Sequence, residues 1–192
     1  DWLLKAMESS EADFLFVVSS VNFMVPHVGS GGGKDVNKVV KKDDAWTVFL
    51  EEREMLIDFW DQLKKRVFVL TGDLHNSFAI KVTENVWEFA SGPHNSVNHR
   101  PKDDEGDRPA NGPFKYGPRA CDIRWSTYVL SDIPRVNRIF PHYCVVQVNN
   151  VFNNPVERDG ERWVAFPKPH VMFQFYDGLS GELRYCETVH AR

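Results

Sequence analysis

Val67-Phe68-Val69-Leu70-Thr71-Gly72-Asp73-Leu74-His75 is the stretch that decides how this chain is read. The apolar run Val67 to Leu70 predicts a strand buried on both faces, because a strand with one wet face would alternate. A tight turn at Gly72 follows and presents a carboxylate and an imidazole two positions apart. In open α/β sheets, ligands bind beyond the carboxyl ends of the strands. An Asp oxygen with a His nitrogen suits a transition metal or a mixed dinuclear centre, and Gly72 would let the backbone approach such a metal closely. For an isolated GDxH string the plainer reading is stronger: Asp73 caps the next turn and His75 makes an ordinary hydrogen bond. Only structural context lifts the metal reading above it.

Working outward, Trp46 to Lys65 reads as an amphipathic helix, with Phe49, Leu50, Arg53, Leu56, Ile57 and Trp60 at three- and four-residue spacing. Phe14 to Val18 is a second continuous apolar run, expected as a buried strand. Strand, helix and strand with short connections make an α/β unit with parallel strands. Upstream, Trp2, Leu3, Ala6 and Met7 share one helical face that ends near Ser9-Ser10. Phe78–Val82 and Val86–Phe89 are shorter strands. The stretch 98–113 is rich in Asp, Pro, Gly and Arg without period and is expected as a long loop. Beyond it the pattern turns β-like, at Tyr143–Val148, Arg162–Phe166, Val171–Tyr176 and Leu183–Val189. Asp177 to Gly181 forms the turn between the last two. The late strands read as core rather than as a cofactor pocket. Three portions result: a site-bearing half-sheet over 1–97, the loop 98–113, and a β-rich portion over 114–192.

Composition sets the limits. The chain has 192 residues, 42% hydrophobic and 13% aromatic, enough for a real core and too aromatic for disorder. A net charge of −4 gives no electrostatic grip on nucleic acid or anionic membrane. No apolar run approaches the roughly 20 residues of a membrane span. Three cysteines without CxxC spacing are neither a disulfide framework nor a zinc site, although one disulfide plus a free thiol stays open. The chain opens at Asp1-Trp2-Leu3-Leu4, already inside a helical pattern, and reads as processed or truncated.

The order of elements resembles the C-terminal half of the alkaline phosphatase D (PhoD-like) family of metallophosphatases. Four stretches carry the resemblance: Trp2-Leu3-Leu4 with the Phe14 to Val18 strand and Ser20-Val21-Asn22; Asp44-Ala45-Trp46 with Phe49, Glu52 and Arg53; Val69 to Phe78; and Trp87 to Ser96. The second resembles the family's D-x-W-x-G-Y-x-x-E-R helix start, with Val48 in place of its Gly. The hairpin from Tyr176 to Val189 is similar to the family's last one, less specifically. The resemblance implies a four-layer α/β/β/α metallophosphoesterase sandwich, here only its C-terminal half, with a metal cluster between the sheets. It implies that Asp73 and His75 are metal ligands and the catalytic residues of this part, with iron plus calcium as the metals and phosphomonoesters or phosphodiesters as substrates. It also implies an exported protein, while the residues themselves leave the compartment open, cytoplasm included. The family's other ligands lie in Asp or Cys, Gly-Asp and Gly-Asn motifs upstream, so the missing N-terminal half is the expected partner. The chain alone is expected to be inactive. A non-catalytic interaction or structural module that keeps the fold is the alternative.

Other residues carry weaker signals. Asn22 and His27 follow the first strand and would face the same cleft if the two strands are parallel. His94, in a Gly-Pro turn, is a candidate for reaching substrate, with a plain surface-turn histidine as the stronger reading. Asn22 and His94 are therefore the substrate-binding candidates. Arg53 reads as phosphate-binding or as one member of a helix-surface salt bridge. Arg100, Lys102 and Arg108 read as anion contacts or as part of a solvated loop with Asp103, Asp104, Glu105 and Asp107. Gly29-Ser30-Gly31-Gly32-Gly33-Lys34 is not a P-loop: Val28 stands where a Gly is needed and Asp35 where Ser or Thr is. It reads as a flexible loop near the site.

Overall fold

The structure, a computed structural model, describes residues 2–28, 45–130, 132–150, 156–158, 161–163 and 168–192. In chain order the elements are α1 (Trp2–Ser9), β1 (Phe14–Val18), α2 (Leu50–Gln62), β2 (Arg66–Thr71), β3 (Phe78–Lys81), β4 (Val86–Ala90) and α3 (Pro101–Asp104). Then come β5 (Gly112–Tyr116), β6 (Arg119–Ser126), β7 (His142–Asn149), β8 (Val156–Arg158), β9 (Glu161–Trp163), β10 (His170–Asp177) and β11 (Leu183–His190). The Gly-rich loop and the charged segment from Lys34 to Asp44 lie outside the described residues.

Six strands form one sheet in the order β1-β2-β4-β3-β6-β5, three form a second in the order β11-β10-β7, and β8 and β9 make a separate pair. β1 runs parallel to β2, as the strand–helix–strand pattern predicts, and β4 runs parallel to β2 as well. The remaining neighbours are antiparallel.

Alternation along the strands divides the core in two. Val67 and Val69 of β2 face the helices, where they join Met7 of α1 and Leu56, Ile57 and Trp60 of α2. Phe68 points the other way, with Trp87 and Phe89 of β4, into a cluster completed by Val171, Phe173 and Phe175 of β10. Phe89 and Phe173 stack with ring centroids 3.5 Å apart, locking sheet to sheet with roughly 0.5–1.5 kcal/mol beyond area burial. The described layers are helices, large sheet and small sheet. Among the described residues, no helical residue belongs to the core of the small sheet.

Several expectations are corrected. The helix begins at Leu50, not Trp46, because residues 45–49 close turns of their own and Phe49 sits at φ −102°, ψ 56°. Leu63 at ψ 145° ends it. α1 forms, yet Met7 is its one buried residue and Trp2 is exposed. β1 is an edge strand: Phe16 is 40% and Val18 80% exposed. β7 is also an edge, and Tyr143, Val145, Val146 and Val148 are exposed rather than core. A continuous apolar run predicts burial only when neighbours cover both faces. The stretch 98–113 is not a solvated loop, because it contains α3 and a buried ion pair described below. The three cysteines are free, and among the described residues no helix is long and apolar enough to cross a membrane.

Candidate metal centre

β2 ends at Thr71, and the chain turns sharply at its carboxyl end. The left-handed conformation expected at a glycine falls instead on Asp73 (φ 70°) and His75 (φ 53°). A side chain held there costs about 1 kcal/mol or more, and such outliers collect at functional sites. A Cβ at Gly72 would stand 3.8 Å from the Ser20 carbonyl oxygen, an ordinary contact. The turn closes on itself through one bond, the Leu74 N–H donating to the Gly72 carbonyl at 2.9 Å.

His75 is oriented from outside that turn. Its Nδ1 lies 2.9 Å from the Val97 carbonyl oxygen and 3.3 Å from Ser96 Oγ. A carbonyl only accepts, so Nδ1 carries the proton and Nε2 keeps the lone pair of the neutral ring. The His99 ring stacks on His75 with centroids 4.4 Å apart, and its centroid also lies 5.0 Å from that of the His27 ring, tilted by 52°. His27 Nδ1 in turn meets Asp73 Oδ2 at 3.0 Å.

The loop after β1, which carries Asn22 and His27, is held by a carboxylate. Glu88, in the middle of β4 and fully buried, accepts from the N–H groups of Phe23 (2.7 Å) and Met24 (2.8 Å) and from Thr71 Oγ1 (2.8 Å). Burial pushes its carboxyl above the usual range, and these three bonds oppose that rise. Farther along, the Val28 N–H donates to the Asp104 carbonyl at 2.8 Å. Asn22 is wholly buried, and neither atom of its amide has a partner among the described residues. A buried amide without partners costs about 1–3 kcal/mol.

Beneath His75 lies a buried polar network centred on Asn76. Its amide donates to the His99 carbonyl (3.1 Å) and to Glu105 (2.7 Å), and accepts from Asn98 (3.1 Å) and Thr127 (3.0 Å). Both donors and both acceptor positions are used. Glu105 also pairs with Arg108 at 2.6 Å, both wholly buried, and the guanidinium lies 4.4 Å from the Phe78 ring centroid. Desolvation drives the Glu105 carboxyl up, while Arg108 pulls it down.

Asp73, His75 and His27 thus come together, with His99 as an unforeseen member. His94 is exposed in the turn after Pro93, and Ser96 and Val97 are the residues of that segment that reach His75. Arg108 is neither an anion contact nor solvated, since it is consumed by Glu105, the Ser126 hydroxyl and the Thr127 carbonyl. Arg53 is buried against Glu54 and the Tyr116 carbonyl rather than exposed on a helix face. Arg100 pairs with Asp103. No spacing rule reports Glu88 or Asn76: a Glu inside the apolar run Val86 to Ala90 is the only hint of the first.

Asp73 offers a carboxylate whose side chain is 31% exposed, and His75 an imidazole fixed through Nδ1. This donor chemistry fits a metal of borderline hardness. Among the described residues, no group of three or more His, Cys, Asp or Glu side chains is arranged to hold a metal ion.

The chain is therefore an α/β protein whose candidate site lies at the carboxyl end of a central parallel strand. The sequence model described as "PhoD-like phosphatase" matches residues 1–121, so the chain belongs to the PhoD-like phosphatase family. It is similar to a solved structure described as "Structure of PhoD", at 16% identity and a TM-score of 0.42. The match covers 100% of this chain and 34% of that one, so the chain spans about a third of its length. No curated protein matches.

Proposed function

We propose that this chain is part of a metal-dependent phosphoric ester hydrolase in which Asp73 and His75 hold metal. The observation that carries this is the pair itself: both residues sit in the left-handed region at the end of β2, and Nδ1 of His75 is tied to a carbonyl. Strain on two side chains that a glycine would relieve is expected where the side chains must be presented. Ligating histidines ordinarily donate their other ring nitrogen to a carbonyl or carboxylate. The metals, iron plus calcium by family, would polarise phosphoryl oxygens and make water acidic enough to attack at neutral pH. Within this chain, Asp73 and His75 would orient that chemistry, and Asn22, whose buried amide lacks a described partner, and the exposed His94 are the substrate-side candidates.

The remaining ligands come from the rest of the protein, which completes a four-layer α/β/β/α sandwich. Support for this is the open β1 edge, where Phe16 and Val18 stand exposed on the face turned toward the small sheet. The test is metal content and phosphatase turnover of the natural-length protein carrying His75→Ala. Both are expected to fall together; full metal occupancy with unchanged turnover rejects the assignment.

A second reading, a non-catalytic module that keeps the fold, is favoured by one observation: the described residues hold no complete set of ligands. Absence of metal from the purified natural-length protein, after growth with iron and calcium, would decide for it.

A further inference from the structure

We propose that His27 is a positioning residue for Asp73, fixing through its Nδ1–H which carboxylate oxygen Asp73 keeps for the metal. This rests on the reading of Asp73 as a metal ligand. Asp73 gets no orientation from its own turn, whose one bond joins Leu74 to Gly72. A short side chain at φ 70° on a surface turn would otherwise sample several rotamers. His27, 46 residues away in sequence, meets Oδ2 at 3.0 Å. The carboxylate accepts, so Nδ1 of His27 donates and Oδ1 is the oxygen left for coordination.

His27 is itself held, as a positioning group must be. Its side chain is 6% exposed. The two carboxylate oxygens of Glu88 clamp the N–H groups of Phe23 and Met24 before it, and Asp104 takes the N–H of Val28 after it. The His99 ring, tilted 52° to it at 5.0 Å between centroids, contacts it and in turn stacks on His75. Asp73 and His75 are thus registered against one another by a wall of three imidazoles. The loop after β1 is the element that sets the geometry of the turn after β2. A buried histidine whose bond to Asp73 is incidental would leave the metal untouched, and a direct ligand would act through Nε2.

The three cases separate by which nitrogen matters. In His27→Asn the amide nitrogen takes the place of Nδ1, and in His27→Gln it takes the place of Nε2. The metal-free natural-length protein would be titrated with Co(II), read by visible absorbance and by bound metal. With His27→Ala and His27→Gln, affinity is expected to fall about 10–100-fold, the usual effect of losing an outer-shell partner. With His27→Asn it is expected to stay within about threefold. Retention in Gln but not Asn makes His27 a ligand and overturns the proposal, as does unchanged affinity in Ala or loss in all three. Should Ala fail to fold, the Asn–Gln contrast still decides. Asp73→Ala is the separate control: undiminished Co(II) binding there removes Asp73 as a ligand and the proposal with it. Loss in Asp73→Ala with undiminished binding in His27→Ala rejects the positioning role alone.

Discussion

Two turns in this molecule follow a strand and carry an aspartate, and they are built in opposite ways. At the end of β10, Asp177 Oδ1 accepts from the N–H groups of Leu179 and Ser180, its other oxygen meets Arg184, and the left-handed position falls on Gly181 (φ 72°). At the end of β2, Asp73 and His75 take the left-handed positions themselves, and the carboxylate reaches to another loop. The first turn assigns each strained position to glycine and satisfies its own amides, the cheapest way to reverse a chain. The second tolerates strain to present two side chains, and is supported by Asn76, Glu105 and Arg108 beneath it. The contrast is the geometric ground, independent of any motif, on which the proposed role of the second turn rests.

The largest expected break in that contrast is in the support. Glu105→Leu leaves Arg108 wholly buried without its partner, and the urea midpoint should drop by the equivalent of about 3–5 kcal/mol. Arg184→Ala, which removes the surface partner of Asp177, should cost at most about 1 kcal/mol. Equal losses would show that the Asn76 network supports nothing special.

A smaller effect comes from exchanging the solutions. Gly181→Ala should destabilise by about 1 kcal/mol, because alanine resists φ 72°. Asp73→Gly relieves φ 70° but strips the buried His27 of its acceptor, so its stability should change by no more than about 1 kcal/mol while Co(II) binding is abolished. A loss well beyond that would mean that the bond to His27, not the strain, dominates this turn.

The smallest effect is in pH dependence, with opposite signs at the two carboxylates. Hydrogen bonds from Ser180, Leu179 and Arg184 hold Asp177 well below its ordinary 3.8, so its contribution is present above that value and is lost as pH falls toward the folded value. Asp177→Asn should flatten the acid limb of a stability–pH curve. Burial raises Glu88 above its ordinary 4.5, so the native state holds its proton longer and stability falls as pH rises through that window. Glu88→Gln should be less stable throughout, since its amide would face the Met24 N–H, and flatter above pH 4.5.

Much of the first half was legible because its signals are local. The apolar run at β2, the turn after it and the parallel β1–β2 pairing follow from periodicity and connection length. The same logic failed at β1 and β7. A run such as Phe14 to Val18 states that its faces are apolar but cannot state which neighbours cover them. Arg108 was misplaced for a related reason. In a stretch with four acidic residues a guanidinium reads as solvated, and its burial depends on Phe78, Ser126 and Thr127 arriving from other strands. Asp73 and His75 were visible as a pair, whereas the bond from His27 to Asp73 is a product of strand order, which no spacing encodes.

The open edge of β1 has a practical consequence. Its five residues, Phe-Leu-Phe-Val-Val, carry no charge and no proline, and Val18 is 80% exposed at the rim. Such an edge is a template for a strand from any other molecule, including a second copy of itself. When the chain is produced alone, this strip favours association that a net charge of −4 does little to oppose. Concentrated samples should form assemblies that grow with time, and a lysine at position 16 or 18 should suppress them.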